Sequence, residues 1–483
     1  MDTSTGVTQP LRWKDVYSEV ELYKAAVRIY TKPVFQWRKA LSTSTDGKTL
    51  YNFAAHGLAH LETIHNSLRR GAFQFRPALA LHYNFNGKHR TLYIAPWEER
   101  IVDLLLYRVL SHKLHSWFSP NAYAYRVRGS GLDSCQTRVA NLLRLARTPV
   151  FIVKRDVSDY FASINHELLL NKLTSLVDPA DYLCRLLAQR IRFEYEEGGR
   201  RRTAQIGIPF GTAIACFLAN VYLTDLDHEV ENLPGVQYLR YADDMLLLTA
   251  RRETAVDAAR RLELLLSGLR LKTKASHEAN LLLTNDLASD ATFIVANNFR
   301  HLGLLFRSGG SVALARDKQR KIQNLFRFAF RRGRRRWKRE TDPHARALAL
   351  VAIAAETIEN GVRNVAILDY YLRHVDDERQ LRLLDRWLAE EVLGAVFGGH
   401  KKGHFRRISF EQLRAMGLPS MLHRRRLICG GRVESPFFIW QREKVTRGLR
   451  GTVARLCRSA GAAFSSFPEA AASRTPVGEG SCL

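Results

Sequence analysis

The chain has 483 residues, 46% of them hydrophobic, which fits a folded protein of two to four structural units and excludes a disordered chain. Its 74 Lys and Arg against 47 Asp and Glu give a formal net charge of +27, an excess that points to a polyanionic partner, most often nucleic acid. The six cysteines include no CxxC spacing, and neither a basic-then-apolar leader nor an apolar run of membrane-spanning length is visible, so the expectation is a cytoplasmic protein with no zinc ribbon, disulfide framework or membrane anchor.

A lead-in with one helix over 16–28 is followed by a helical pattern over 52–70 that stops at Gly71. Two extended runs, 79–85 and 91–94, flank Asn86-Gly87, the strongest short hairpin signal. Lys88 and Arg90 sit just beyond that turn, where cations on a rigid hairpin can grip a triphosphate; a solvated basic tip is the plainer alternative. An amphipathic helix over 98–118 precedes Ala122-Tyr-Ala-Tyr-Arg126-Val-Arg128-Gly129, a basic turn interleaved with aromatics, and another helix runs to about Leu145.

Val150-Phe-Ile-Val153 has the length and β-branching of a buried strand, and it leads into Asp156. A hairpin tip at Gly198-Gly199, a loop at Gly207-Ile-Pro-Phe210-Gly211 and a long apolar helix over 213–225 follow. Then comes Val236–Thr249, VQYLRYADDMLLLT, which reads as strand, tight turn and strand with Asp243 and Asp244 at the turn. Adjacent carboxylates between buried strands repel each other and are costly to desolvate. Divalent cations such as Mg²⁺ neutralise such a pair while also taking substrate phosphates. Asp156, past the end of a buried strand, is the natural third carboxylate for two-metal phosphoryl transfer. A solvated turn that happens to hold Asp-Asp is the bland alternative.

The remainder is helical and basic, with patterns over 313–338, 345–360 and 379–396. Arg334, Arg335 and Arg336, beside Trp337, suit a clamp on a nucleic-acid backbone or, equally, a solvated face. His400 and His404 lie in a Gly-rich loop without Cys and are taken as polar loop residues. Residues from about 460 have the composition of a flexible tail.

Taken together, Asp156 with Tyr160-Phe161, the Gly207–Gly211 loop with Ala219-Asn220-Val-Tyr222, and Tyr241-Ala-Asp-Asp244 resemble the successive palm motifs of a reverse transcriptase. The pattern is similar to the bacterial lineage related to group II intron enzymes, and most like its free-standing members associated with anti-phage defence. Gly87-Lys88-His-Arg90 and Ala124-Tyr-Arg126 resemble that lineage's fingers motifs, and Phe299-Arg-His-Leu302-Gly303 its primer-grip hairpin. The resemblance implies an α+β right-hand polymerase: lead-in 1–51, fingers 52–145, palm 146–310 with a fingers insertion near 188–205, helical thumb 311–398, C-terminal extension 399–459 and tail 460–483. It implies that Asp156, Asp243 and Asp244, with the Val157 carbonyl, hold two Mg²⁺ ions, with Mn²⁺ as a substitute. Phe161 falls at the gate that excludes a ribose 2′-hydroxyl, Lys88 and Arg90 at the triphosphate, and Arg126 is a further nucleotide-binding candidate. Phe210 and Gly211 lie in the loop beside the nascent base pair.

Two departures stand out. Phe210 replaces the Gln usual in intron members, and Ala215-Cys216 replaces a Ser-Pro. The general acid stays open among Lys272, Lys274 and His277. The implied partners are dNTPs, a DNA product and an RNA template, which by exclusion of an intron role is a dedicated noncoding RNA; a homo-oligomer or partner protein is left open. The competing readings are a retron or diversity-generating reverse transcriptase, an RNA-copying RNA polymerase, which Phe161 argues against, and a silent RNA-binding scaffold, which the intact carboxylates argue against.

Overall fold

The structure is a computed structural model that describes residues 9–31, 41–85, 88–126, 130–146, 149–359 and 362–432, without the side chains at 85, 88, 359 and 362–367. The Asn86-Gly87 turn, the Lys88 side chain, Arg128, Gly129 and the chain beyond 432 therefore lie outside the described residues. Among the described residues no helix is long and apolar enough to cross a membrane.

The fold is α+β, a right hand of fingers, palm and helical thumb, with three sheets among the described residues. The fingers sheet has the order β2-β1-β4-β5, from β1 (Ala78–Phe85), β2 (Lys88–Ile94), β4 (Glu194–Glu197) and β5 (Arg200–Thr203). The 194–203 hairpin thus joins the fingers, through a parallel pairing of Ala78 with Tyr195.

The palm sheet has the order β6-β7-β3-β8-β9, from β3 (Val150–Asp156), β6 (Gln237–Tyr241), β7 (Asp244–Thr249), β8 (Asn280–Leu283) and β9 (Ile294–Ala296). Only β8 and β9 pair in parallel. Both sheet faces are covered, which is why β3 and β7 read as unbroken apolar runs rather than alternating ones. Phe151, Val153, Met245 and Leu247 enter one core, with the buried helix Ala213–Glu231 and the helix Arg252–Gly268. Val150, Ile152, Leu246 and Leu248 enter the other, shared with the thumb.

On that second face lies a small sheet of β10 (Asn298–His301), β11 (Leu304–Arg307) and β12 (Val312–Leu314). The thumb helices follow: Arg316–Arg332, Arg334–Lys338, Pro343–Glu359, Val362–His374 and Glu378–Phe397. In the first, Ile322, Phe326 and Phe330 are buried at four-residue spacing, the spacing that puts one stripe of a helix on a core. Each such side chain contributes about 1.5–3 kcal/mol on burial. Val362–His374 was not expected from the sequence, because Asn360-Gly361 reads as a helix stop. The 52–70 pattern forms two helices, Leu50–Ala55 and Gly57–Arg69, the first capped by the Thr49 hydroxyl.

The helix Leu132–Leu145 ties palm and thumb together. Gln136, 1% exposed, donates from Nε2 to the Leu302 carbonyl (2.8 Å) and accepts from the Tyr370 hydroxyl of the thumb (2.7 Å). Asp133 pairs with His374 at 3.2 Å.

Candidate active site

The Tyr241–Asp244 turn is built from the inside. Tyr241 pairs with Asp244 across the β6–β7 hairpin, so Ala242 and Asp243 form its tip and Asp244 opens β7. Ala242 has φ +57°, a left-handed backbone that costs a non-Gly residue roughly 1–2 kcal/mol. Arg240 compensates. Its guanidinium is 1% exposed and donates from Nη1 to the Ala242 carbonyl (3.0 Å) and to Asn220 Oδ1 (3.1 Å). Nε and Nη2 clasp both oxygens of Asp227 at 2.7 and 2.6 Å, and the Tyr238 hydroxyl adds a 2.7 Å bond to Asp227. Asn220 in turn donates to the Ala124 carbonyl at 2.8 Å. Sequence reasoning missed the Arg240–Asp227 pair, because a helix acid thirteen residues upstream carries no local signal.

Asp156, at the end of β3, sits directly opposite Asp244 in the β3–β7 register. The next amide, of buried Val157, donates to the Asp243 carbonyl at 3.2 Å. Asp156, Asp243 and Asp244 thereby all lie at one end of the palm sheet. Burial and the neighbouring Asp156 charge push the Asp243 carboxyl up to about 6. Lys274 Nζ answers this repulsion, 2.5 Å from Asp156 Oδ1 and 3.9 Å from Asp243 Oδ2. Its backbone is fixed there too, since Lys274 N donates to the Asp156 carbonyl and Ser158 N to that of Lys272, both at 2.8 Å. Of the three general-acid candidates, Lys274 alone pairs with these carboxylates; Lys272 and His277 are exposed on the same segment. Asp244 Oδ2 lies 3.4 Å from the Nδ1 of His301.

The donor set is hard oxygen and mutually repelling, which fits Mg²⁺ or Mn²⁺. Among the described residues, however, no three His, Cys, Asp or Glu side chains converge as a cation site. The Lys274 ammonium lies between Asp156 and Asp243, while Asp244 reaches toward His301.

Phe161 is the second residue of a short helix, Tyr160–Ser163, behind Asp159 at φ +44°. Its ring meets Phe210 edge-on (centroids 5.0 Å, 62°) and Tyr125 beyond (6.1 Å, 77°). Phe210 therefore backs Phe161 with an apolar wall. The loop is pinned by Ile208 N to the Phe161 carbonyl and Gly207 N to the Ile164 carbonyl, both 2.8 Å. Gly211, at φ +106°, leaves no room for a Cβ against Leu92, and Tyr93 N donates to the Phe210 carbonyl at 2.9 Å. The fingers hairpin is thus docked on this loop, with Arg90 exposed on β2.

Arg126 is committed to backbone carbonyls rather than left free for a triphosphate. Its guanidinium donates to the carbonyls of Ser119 (2.6 Å) and His115 (2.9 Å) and stacks over Phe118. Burial pushes it down to about 10. It satisfies carbonyls after the helix Trp97–Lys113, where the backbone has no helical partner. Arg334, Arg335 and Arg336 are exposed on the distal thumb, far along the chain from the carboxylates, and Arg336 pairs with Glu356 at 2.6 Å. Arg334 borders a cavity of about 350 Å³ with Arg331, Trp337, Glu391 and His400.

Residues 82–303 match the family described as reverse transcriptase (RNA-dependent DNA polymerase). That span holds β2, the three carboxylates, the Gly207–Gly211 loop and the hairpin bearing His301. Protein YkfC of Escherichia coli (strain K12) is 26% identical over 255 residues, 46% of this chain and 67% of that protein. A protein in the cob intron of Schizosaccharomyces pombe is 24% identical over 174 residues, and a putative COX1/OXI3 intron 2 protein of Saccharomyces cerevisiae 23% over 177. Each covers 36% of this chain, which spans only 21% and 20% of those two proteins. Among solved structures, apo telomerase from Candida tropicalis aligns with a TM-score of 0.41 at 10% identity, over 80% of this chain and 68% of that one. Telomerase from Candida albicans with a fragment of telomeric RNA aligns with 0.39 at 11%, over 84% and 69%.

Proposed function

We propose, from the premise that residues 82–303 form the reverse transcriptase domain of an RNA-directed DNA polymerase, that this chain makes cDNA by two-metal phosphoryl transfer. The observation that carries the reading is the register of β3 on β7, which sets Asp156 opposite Asp244 with Asp243 beside them. Asp156, Asp243 and Asp244, with the Val157 carbonyl, would hold two divalent cations. When bound, these supply charge neutralisation at the attacking 3′-oxygen and the leaving pyrophosphate. Arg90, with Lys88, grips the triphosphate. Phe161, backed by Phe210, closes on the sugar, and Gly211 lets the loop approach the nascent pair. Lys274, whose ammonium lies beside Asp156 and Asp243, would be the group that protonates the leaving pyrophosphate. The direct test is incorporation of dNTPs on an RNA template with a DNA primer, with and without Mg²⁺. Wild-type protein inactive under both conditions refutes the reading.

Phe161→Val should admit ribonucleotides. Removing the ring that stands against C2′ lowers the dNTP-over-rNTP preference by about ten- to a hundredfold, the scale of one steric contact in a pocket. Matched incorporation assays read the ratio, and an unchanged ratio removes Phe161 from the gate.

The finer part of the proposal is that the template is a dedicated structured noncoding RNA and that the cDNA serves anti-phage defence. Supporting it is the charge of +27, with basic residues spread far beyond the carboxylates, on Arg200–Arg202 and on the distal thumb. Replacing Arg334, Arg335 and Arg336 by Ala should weaken RNA retention without lowering stability, since the exposed Arg336–Glu356 pair contributes little. With roughly 0.7–0.9 in log–log salt slope per lost phosphate contact, the triple variant should show a slope shallower by about 2. Sequencing the copurifying RNA separates this role from a retron or diversity-generating element. Wild type that emerges free of RNA, and prefers its own locus's transcript no more than random RNA, refutes the dedicated template.

A further inference from the structure

Strand β10 brings His301 beneath the catalytic turn. Its side chain is 1% exposed, and neither ring nitrogen has a hydrogen-bond partner among the described residues. A buried polar ring without partners is costly, and a Phe would fill the space without that cost. The carboxylate beside it is that of Asp244, with Nδ1 3.4 Å from Oδ2 but outside hydrogen-bond geometry.

The residues on either side of His301 are both anchored. Lys154 Nζ donates to the Arg300 carbonyl and Gln136 Nε2 to the Leu302 carbonyl, each at 2.8 Å. His301 pairs with Leu304 across the hairpin, and Phe299 stacks on Phe306 (5.6 Å, 26°). The turn between them has Leu302 at φ +46° and Gly303 at +83°. Leu in the left-handed region is a backbone outlier, and such strain persists where surroundings over-determine it, often at functional sites. A strained and doubly anchored hairpin here holds one buried imidazole at a fixed height over β7.

We propose that His301 is a positioning residue for Asp244. Its ring Nδ1–H donates to Asp244 Oδ2 once that side chain makes a small rotation, and so sets the carboxylate's orientation. The other oxygen is left for a divalent cation. Partners of this kind behind a metal-binding carboxylate fix its rotamer before the cation arrives. The inference rests on the reading of Asp244 as a cation ligand.

The test compares wild type with His301→Phe, His301→Asn and His301→Gln, each without nucleic acid. Mn²⁺ binding is followed by electron paramagnetic resonance, folding by thermal melting, and kcat and KM for dNTP in a separate assay. His301→Phe should melt no lower than wild type, bind Mn²⁺ about 10- to 100-fold more weakly, and lose kcat by a similar factor with KM unchanged. His301→Asn, whose amide nitrogen falls near the place of Nδ1, should recover most of both losses. His301→Gln, whose amide reaches toward Nε2 instead, should not. If His301→Phe fails to fold, Asn against Gln carries the comparison. Mn²⁺ affinity lost in Asp244→Asn but unchanged in folded His301→Phe, or equal in Asn and Gln, overturns the role of His301 alone. Wild type that binds Mn²⁺ no better than Asp244→Asn overturns the cation reading and this inference with it.

Discussion

Asp243→Asn should abolish Mg²⁺-dependent incorporation, by on the order of a thousandfold or more, while leaving the protein folded. Two effects separate in this variant. Catalysis loses a negatively charged ligand where several kcal/mol of transition-state stabilisation are expected from metal. Stability moves the other way. Burial and Asp156 raise the Asp243 carboxyl to about 6, above its unfolded value. Such a group favours the fold below the unfolded pKa, and that contribution is lost as pH rises through about 6. Metal-free wild type should therefore weaken between about pH 4 and pH 7, and Asp243→Asn should not. Melting in chelator across that range, beside a primer-extension assay, reads both effects. A variant that keeps full Mg²⁺-dependent activity refutes the assignment.

Arg240→Met should be the most destabilising single change in the palm. It strands Asp227 in the core with no cation, and breaking one side of a buried pair costs roughly 3–5 kcal/mol. It also takes the donor from the Ala242 carbonyl, on which the left-handed turn depends. The double variant Arg240→Met with Asp227→Leu should recover much of the stability, because two apolar groups replace a buried ion pair at little cost. Recovery is partial, since the Tyr238 hydroxyl then loses its acceptor. Polymerisation should stay low in the double variant. Chemical denaturation and primer extension distinguish the two roles; a double variant with wild-type activity shows that the turn holds its shape without Arg240.

The contrast between Asp156 and Arg240 shows where sequence reading stops. Asp156 and the Asp243-Asp244 pair stand out because each follows or interrupts an apolar run, which is local information. That Asp156 faces Asp244 is a matter of strand register, which no spacing along the chain encodes. Arg240 and its partner Asp227 carry no local signal along the chain; burial alone distinguishes them. Lys274 remained one of three cations because residues 272–277 form no regular element, so nothing in their periodicity said which one faces the carboxylates. Arg126 drew attention as a cation among aromatics, yet its guanidinium serves the end of a helix. Phe210 was visible as a substitution, whereas its edge-on contact with Phe161 needed the fold of the loop. The helix Val362–His374 was hidden by the Asn360-Gly361 pair before it.

Gln136 has a mechanical consequence. One buried amide is bonded at its nitrogen to the palm hairpin and at its oxygen to a thumb tyrosine, segments 166 and 234 residues away from it. An outward swing of the thumb helix carrying Tyr370 must break that splice or drag the hairpin along, and it must also part the Asp133–His374 pair beside it. On the proposed reading, a duplex advancing past this face would keep the splice intact only where the nucleic acid and the fingers, rather than the thumb, do the moving.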